Sequence, residues 1–179
     1  MPMPRMALVN NVDLEALRRA REEAKENPRA LLKRLSISGE WRVQAQEPPQ
    51  FLASLTYEKG SSTIEAESPA FLGGRGTHPG PLQLCLAGLA SCFLSTFVGT
   101  CSEMGIRLRR ARVHVSCEID FRPVLGLEDA PINRGVEFVV EAEAEDGRDL
   151  SEALRLAKER CPAVYSLSKP IAVSASLAR

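Results

Sequence analysis

The sequence predicts an α+β domain built from antiparallel sheets around a long central helix. Strand-like and helix-like segments follow the order βββ-α-ββ-α-β after an N-terminal helical extension, without the β-α alternation of a doubly wound fold. One segment, Leu82 to about Met104, has helical length and is apolar on nearly every face. One small sheet cannot cover such a helix, so a second subunit is expected to cover it.

The N-terminal part is expected to be a helical extension, residues 1–34, placed before a main domain of residues 35–179. Residues 12–34 show helical periodicity with a mostly charged outer face, and Asn27 with Pro28 interrupts it. A charged helix of this kind is typical of a solvated element packed on the edge of a domain.

Three short strands are predicted at the start of the main domain. Apolar residues alternate with polar ones from Ile37 to Val43, from Phe51 to Tyr57 and at Ile64 and Ala66. Lys59–Ser61 suits a turn between the second and third strands, and the Gly- and Pro-rich segment Ser68–Gly80 is expected to be a loop. The pattern indicates an antiparallel meander.

The central helix is bounded by two residues that mark helix ends. Pro81 suits the first helical position, and Gly105 suits the position just after the last turn. Apolar and polar residues then alternate from Ala111 to Phe121 and again from Val136 to Glu143, which predicts two paired strands with one wet face.

The C-terminal part is predicted to contain a second helix and a final strand. Asp149 with Glu152 three residues later resembles a capping box, and the helix is expected to continue to Arg160. Alternating apolar residues from Ile171 to Leu177 predict the last strand.

Composition argues against several classes of protein. The 23 basic residues balance the 23 acidic ones without a long block of either sign, which disfavours nucleic acid or a membrane surface as partner. The polar stretch after Met1–Met6 is unlike an export signal, and the apolar run Leu82–Val98 is shorter than the roughly 20 residues of a membrane span. A cytoplasmic protein is expected.

Cysteine usage points to free thiols. The chain has five cysteines, an odd number, with no C-x-x-C motif and only two histidines, so neither a disulfide framework nor a metal or other cofactor is expected. Cys85, Cys101 and Cys117 are expected to be core thiols.

Two cysteines have more distinctive settings. Cys92 lies near the middle of the apolar helix, where position alone favours simple packing over reactivity. Cys161 precedes Pro162, so it would cap a following helical turn whose N–H groups and dipole stabilise a thiolate. Local sequence leaves two interpretations of Cys161 open, a reactive thiol and an inert packed thiol.

Two motifs in this chain resemble the OsmC/Ohr family. The run HPGPLQLCLAGLASCF, residues 78–93, resembles the entry into that family's central helix, and RCPAVYSL, residues 160–167, resembles its second cysteine motif. The order of elements from residue 35 onward also fits. The resemblance implies an interleaved homodimer with two equivalent interface sites, and the sequence is closer to the broader OsmC-like branch than to the dedicated organic hydroperoxide group.

The resemblance also implies a mechanism. Cys92 would be the peroxidatic thiol that becomes a sulfenic acid, Cys161 would be the resolving thiol that joins it in a disulfide, and a dithiol would reduce the pair. The substrates would be organic hydroperoxides, with hydrogen peroxide as a further candidate, in defence against oxidative stress.

One part of the family's site is not matched. Peroxidase members hold an arginine from the first hairpin with a glutamate at the start of the central helix, and this chain has Leu82 at the glutamate position. Arg42 and Arg75 are the candidate arginines, and either is also compatible with an ordinary surface role. The alternative function is a non-catalytic protein that binds a hydrophobic small molecule or senses redox state; a thiol hydrolase has no suitably spaced histidine.

Overall fold

The computed structural model describes residues 8–178, and within them the predicted α+β class with antiparallel sheets is confirmed. The chain divides into two compact units. Unit 1 contains the residues up to 19 and those from 88 onward, and unit 2 contains residues 20–87. Residues 1–7 and 179 lie outside the described residues.

Unit 2 contains the predicted meander. Its antiparallel strands are β3 (Ser38–Trp41), β4 (Phe51–Tyr57) and β5 (Gly60–Ala66). Tyr57 pairs with Gly60, so the turn consists of residues 58 and 59 rather than the expected 59–61. The predicted loop after β5 includes a 3-10 turn, Ala70–Leu72.

The central helix α2 spans Pro81–Glu103, close to the predicted range. Pro81 occupies its first position, and Gly105 has a φ of 69°, the left-handed conformation that glycine adopts readily after a helix. In length and apolar composition α2 would also suffice to cross a membrane. Its second half is instead part of the unit 1 core, where Phe93 and Phe97 are buried.

Two long strands pack with α2 in the core of unit 1. They are β6 (Leu108–Ile119) and β7 (Asn133–Ala144). The predicted antiparallel pairing is confirmed, with Val115 opposite Phe138, and the Phe138 ring lies 4.8 Å from that of Phe93.

The turn after β6 begins earlier than predicted. Residues Phe121–Val124 form a short helix, α3, instead of continuing the strand. The Asp120 carboxylate accepts a hydrogen bond from the backbone N–H of Arg122 and caps this helix, which competes with strand extension.

Two helices follow β7: α4 (Ser151–Arg160) and α5 (Pro162–Ser168). The expected capping box is wrong. Leu150 occupies the N-cap position without a side-chain cap, and Asp149 accepts a hydrogen bond from the Ser151 hydroxyl instead. Glu152 forms an ion pair with Arg155 and does not reach back to the helix start.

The final predicted strand is not formed. Residues 170–178 have no regular structure, and Val173 and Leu177 are 89% and 95% exposed. An alternating pattern makes a strand only where a neighbouring edge supplies hydrogen bonds, and within the described residues no strand pairs with this segment.

The N-terminal region is shorter in helix than predicted. Helix α1 spans Leu14–Glu26, while Leu8–Val9 and Val12–Asp13 form a hairpin, β1 and β2, around Asn10 and Asn11. Both asparagines have positive φ, as this tight turn requires. A turn and irregular backbone follow Asn27, so the last part of the predicted helical extension is not helical. The domain boundary at residue 34 stays a prediction.

The same hairpin is tied to the rest of unit 1 through Asn10. Its side-chain amide donates to the Ser102 hydroxyl and the Ile106 carbonyl, at 3.0 and 2.8 Å, and its oxygen accepts from the N–H of Leu108 at 2.8 Å. These bonds connect the hairpin to the end of α2 and the start of β6.

Candidate functional site

The two cysteines singled out in the sequence lie side by side in unit 1. The sulfur of Cys161 is 3.7 Å from that of Cys92, although 69 residues separate them in the chain. Cys92 lies in the middle of α2, and Cys161 is both the C-cap of α4 and the N-cap of α5. A disulfide has a sulfur–sulfur distance of about 2.05 Å, so bond formation needs an approach of about 1.6 Å.

Small side chains allow α4 to bring Cys161 to this position. Ala153 and Ala157 on α4 are fully buried, and both belong to the same core cluster as Cys161, Phe93 and Phe97. Pro162 then starts α5 because its missing N–H would be unpaired at that position in any helix. Cys161 itself has an extended backbone conformation between the two helices, and its side chain is buried in the core.

The two thiols differ in access to solvent. Cys161 is 0% exposed, whereas Cys92 is partly exposed. Among the other three cysteines, burial raises the pKa of the Cys101 thiol to about 11, so it is an inert core thiol as expected. Cys117 is half-buried, and the expectation of a core thiol at Cys85 is wrong because Cys85 is exposed.

The local electrostatics of Cys92 disfavour its thiolate. Burial raises the pKa of the Cys92 thiol, the backbone N–H of Ala163 lowers it in part, and the neighbouring Cys161 raises it further. Ala163 is the second residue of α5, so this helix directs an N–H group at Cys92 as well as carrying Cys161 at its cap. None of these three influences is a cation.

A buried carboxylate organises the loop of unit 2 that carries Arg75. Glu67 is 1% exposed and accepts hydrogen bonds from the backbone N–H of Arg75, from that of Thr77 at 2.9 Å and from the Thr77 hydroxyl at 2.9 Å. Burial raises the pKa of Glu67, but these hydrogen bonds outweigh it and hold the pKa below its ordinary value. The carboxylate therefore stays ionised and fixes the backbone on both sides of Gly76.

A histidine extends this network. The Thr77 hydroxyl, which donates to Glu67, also lies 2.9 Å from Nδ1 of His78. Nε2 of His78 lies 3.5 Å from a Glu65 oxygen.

The two candidate arginines have different partners inside unit 2. The Arg75 guanidinium forms a 2.8 Å ion pair with Glu47 and donates to the Gln46 carbonyl. Arg42 donates to the carbonyls of Glu47 and Pro49, at 3.3 and 3.0 Å. A carboxylate holds the guanidinium of Arg75, whereas the hydrogen bonds of Arg42 run to backbone carbonyls.

Sequence reasoning missed Glu67 and Glu47 as partners of Arg75. The position that matches the family's glutamate is residue 82, which is a leucine in this chain. Glu67 follows the last residue of β5, and the alternation of that strand marks it only as a further polar residue. Its burial depends on the loop folding back, which no periodicity signals.

The fold and the cysteine pair together define a class: an antiparallel α+β protein with two neighbouring thiols at the junction of its central and C-terminal helices. A family model described as OsmC-like protein matches residues 74–176, more than half of the chain, and the chain belongs to that family. A search of curated proteins gives no match.

Solved structures with the same fold come from several bacteria. An OsmC-like protein from Mycoplasma pneumoniae is 19% identical, with a TM-score of 0.57 over 75% of this chain and 87% of its own. An organic hydroperoxide resistance protein OsmC from Legionella pneumophila is 20% identical, with a TM-score of 0.51 over 76% and 92%. An organic hydroperoxide resistance protein from Elizabethkingia anophelis is 17% identical, with a TM-score of 0.53 over 78% of this chain and 91% of its own. At these identities the likeness shows the fold.

Proposed function

We propose that this chain is a cysteine-based peroxidase of the OsmC/Ohr type that reduces organic hydroperoxides in the cytoplasm as a homodimer. The observation that carries the proposal is the 3.7 Å separation of the Cys92 and Cys161 sulfurs. Membership of a family that includes organic hydroperoxide resistance proteins supports the substrate class.

The chemistry requires the thiolate of Cys92. It attacks one oxygen of the peroxide, the O–O bond breaks, and the other oxygen takes a proton and leaves as an alcohol. Cys92 is then a sulfenic acid. The sulfur of Cys161 attacks it, water leaves, and a disulfide forms. A dithiol reduces this disulfide and becomes oxidised itself.

The difference in burial supports the assignment of roles. The peroxidatic sulfur must meet a substrate that arrives from solvent, and Cys92 is the partly exposed one. Fully buried Cys161 is protected from peroxide but lies within contact of Cys92, as a resolving thiol should.

The raised pKa of Cys92 means that efficient catalysis needs a cation. We assign this role to Arg75 in preference to Arg42. The Arg75 backbone is anchored by buried Glu67, while its exposed ion pair with Glu47 is of a kind worth only about 0–1 kcal/mol. Release of the guanidinium from Glu47 would therefore cost little. Glu67 and Glu47 would together replace the family's glutamate, which is absent at Leu82.

The apolar surface of α2 supports the homodimer. Leu82 and Cys85 are exposed in the single chain, although α2 is the most apolar segment of the protein. A second copy of the chain would remove such a surface from water.

A cavity supports the second candidate function, binding of a hydrophobic small molecule. It has a volume of about 840 Å³ in unit 1, and its apolar wall includes Phe93, Phe138, Val164 and Leu167. This size falls within the range of ligand pockets. Under the first candidate, the same cavity would receive the organic part of a hydroperoxide.

Stopped-flow measurement of peroxide reduction with dithiothreitol separates the two functions. Wild type should turn over, Cys92→Ser should be inactive, and Cys85→Ser, which removes an exposed thiol outside the pair, should behave as wild type. Arg75→Ala should lower the rate about a hundredfold and Arg42→Ala much less. Turnover by Cys92→Ser at the wild-type rate would exclude the peroxidase function and leave binding of a hydrophobic small molecule as the function.

A further inference from the structure

The disulfide that the proposed function requires has two sulfurs with unequal surroundings. In thiol–disulfide exchange the attacking thiolate approaches one sulfur along the line of the S–S bond, and the other sulfur leaves. Which sulfur is attacked depends on access and on how well the leaving thiolate is stabilised. Both quantities can be compared for Cys92 and Cys161.

Access favours attack on Cys92. Cys161 is 0% exposed and belongs to the buried core cluster with Ala153, Ala157 and Phe97. A thiolate could approach its sulfur from behind only if the α4–α5 junction left the core. Cys92 is partly exposed in the single chain, so it is the more accessible of the two cysteines without movement of the helices.

Stabilisation of the leaving thiolate favours attack on Cys161 instead, but this effect is smaller than that of access. The Ala163 N–H directed at the Cys92 sulfur would stabilise Cys92, rather than Cys161, as the leaving thiolate. This is a single hydrogen bond, and only part of its stabilisation of the thiolate is realised in a transition state. Exposing Cys161 would instead disrupt the packing of α4 in the core cluster, whose buried residues each contribute to the stability of unit 1.

We infer that the reductant attacks the sulfur of Cys92 and that Cys161 is the leaving thiolate. This inference rests on the proposed function and deepens it. The first step breaks the Cys92–Cys161 bond and joins Cys92 to the reductant; the Cys161 thiolate takes up a proton. In the second step the reductant's other thiolate attacks the reductant sulfur of the mixed disulfide, the reductant becomes a cyclic disulfide, and Cys92 leaves as a thiolate.

The Ala163 N–H acts in this second step, because there Cys92 is the leaving group. The dithiol reductant that the family resemblance implies is compatible with this order of attack. After attack by a monothiol, the Cys161 sulfur lies beside the mixed disulfide and can expel the monothiol again. A dithiol escapes this reversal by closing its own ring.

The test begins with Cys85→Ser protein oxidised by diamide, so that it requires no peroxidase activity and the Cys85 thiol cannot take part. The oxidised protein is exposed briefly to glutathione, quenched in acid, denatured, alkylated and mapped by mass spectrometry. Glutathione should be found on Cys92, and the alkylating group on Cys161, in about tenfold excess over the reverse or more. Oxidised protein denatured before glutathione is added is the control and should carry the adduct on both cysteines.

The possible failures are distinguishable. An adduct found mainly on Cys161, or equally on both cysteines of the native protein, would refute the inference and leave the peroxidase proposal intact. A disulfide that forms with diamide but not with peroxide would refute the peroxidase proposal, and the mapping would still decide which sulfur is attacked. If diamide does not join Cys92 to Cys161, both proposals fail.

Discussion

Replacing Gly74 with alanine tests whether the position of the Arg75 loop controls catalysis. A Cβ atom at Gly74 would lie 1.6 Å from the carbonyl oxygen of Ser68 and 2.6 Å from its carbonyl carbon. Contacts between a carbon and a carbonyl oxygen begin at about 3.3 Å, so one of the two backbone segments must move by about 1.7 Å. The N–H of Ser68 donates a hydrogen bond to the side-chain oxygen of Gln50 at 2.9 Å, and the N–H of Arg75, the residue after Gly74, donates to Glu67. Both segments therefore resist the movement.

The displacement has two expected consequences. Overpacking of this kind typically lowers the free energy of unfolding by about 1–3 kcal/mol. Misplacement of a catalytic group by about 1 Å can cost about a hundredfold in rate, so peroxide reduction by Gly74→Ala should fall by about that factor. Gly80→Ala is the matched control, because its Cβ would meet only ordinary contacts, the nearest at 3.5 Å.

Three measurements make this test specific. Stopped-flow kinetics gives the rate of peroxide reduction, thermal unfolding gives stability, and disulfide formation with diamide reports whether the Cys92–Cys161 pair is intact. The expected variant is less stable and forms the disulfide normally, yet reduces peroxide slowly. Wild-type peroxide reduction by a destabilised Gly74→Ala protein would show that the loop position is irrelevant, and Arg75 would lose its proposed role.

Three further predictions follow from the same site. Cys161→Ser should consume one peroxide per subunit and retain Cys92 as a sulfenic acid, detectable by dimedone labelling, whereas multiple turnovers without sulfenic acid would exclude Cys161 as the resolving thiol. Light scattering should give about twice the 19.6 kDa mass of one chain, and a stable monomer at micromolar concentration would refute the dimer. In Arg75→Ala the alkylation rate of Cys92 should rise with pH, with a midpoint above the ordinary thiol pKa of about 8.5, because burial disfavours the thiolate; a midpoint below that value would contradict this reasoning.

The sequence allowed the central elements to be predicted because their signals are local. Helix α2 begins at a proline and is followed by a glycine in the left-handed conformation, and the pattern of β6 and β7 places their apolar residues opposite each other. The final strand could not be judged this way, since residues 171–177 alternate well but pairing depends on an edge elsewhere. A short Asp-capped helix at Phe121 likewise depends on one side-chain hydrogen bond.

The candidate site was predictable to the extent that it resembles known motifs. Both cysteines were identified from their motifs, and the structure brings them together within unit 1. The setting of Cys92 was not foreseen, because the N–H groups of the helical turn after Cys161 were expected to act on Cys161, whereas the Ala163 N–H is directed at Cys92. Glu67 was missed because it depends on a loop that folds back over a strand end.

The proximity of the two sulfurs means that thiolate formation, and not disulfide closure, should limit the proposed enzyme. Groups held in the right geometry react as if at effective concentrations of about 10⁵–10⁸ M, so a sulfenic acid at Cys92 would meet Cys161 quickly. The attack of Cys92 on the peroxide has no such advantage, because it requires the thiolate. Each unit by which the pKa of Cys92 exceeds the working pH removes about nine-tenths of the remaining thiolate. In the proposed mechanism the peroxidase rate therefore depends on a cation that stabilises the Cys92 thiolate, the role proposed for Arg75. Changes at Glu67 and Gly74, which position the Arg75 loop, are expected to alter this rate, while Cys161, as the proposed resolving thiol, would allow the oxidised enzyme to be recovered.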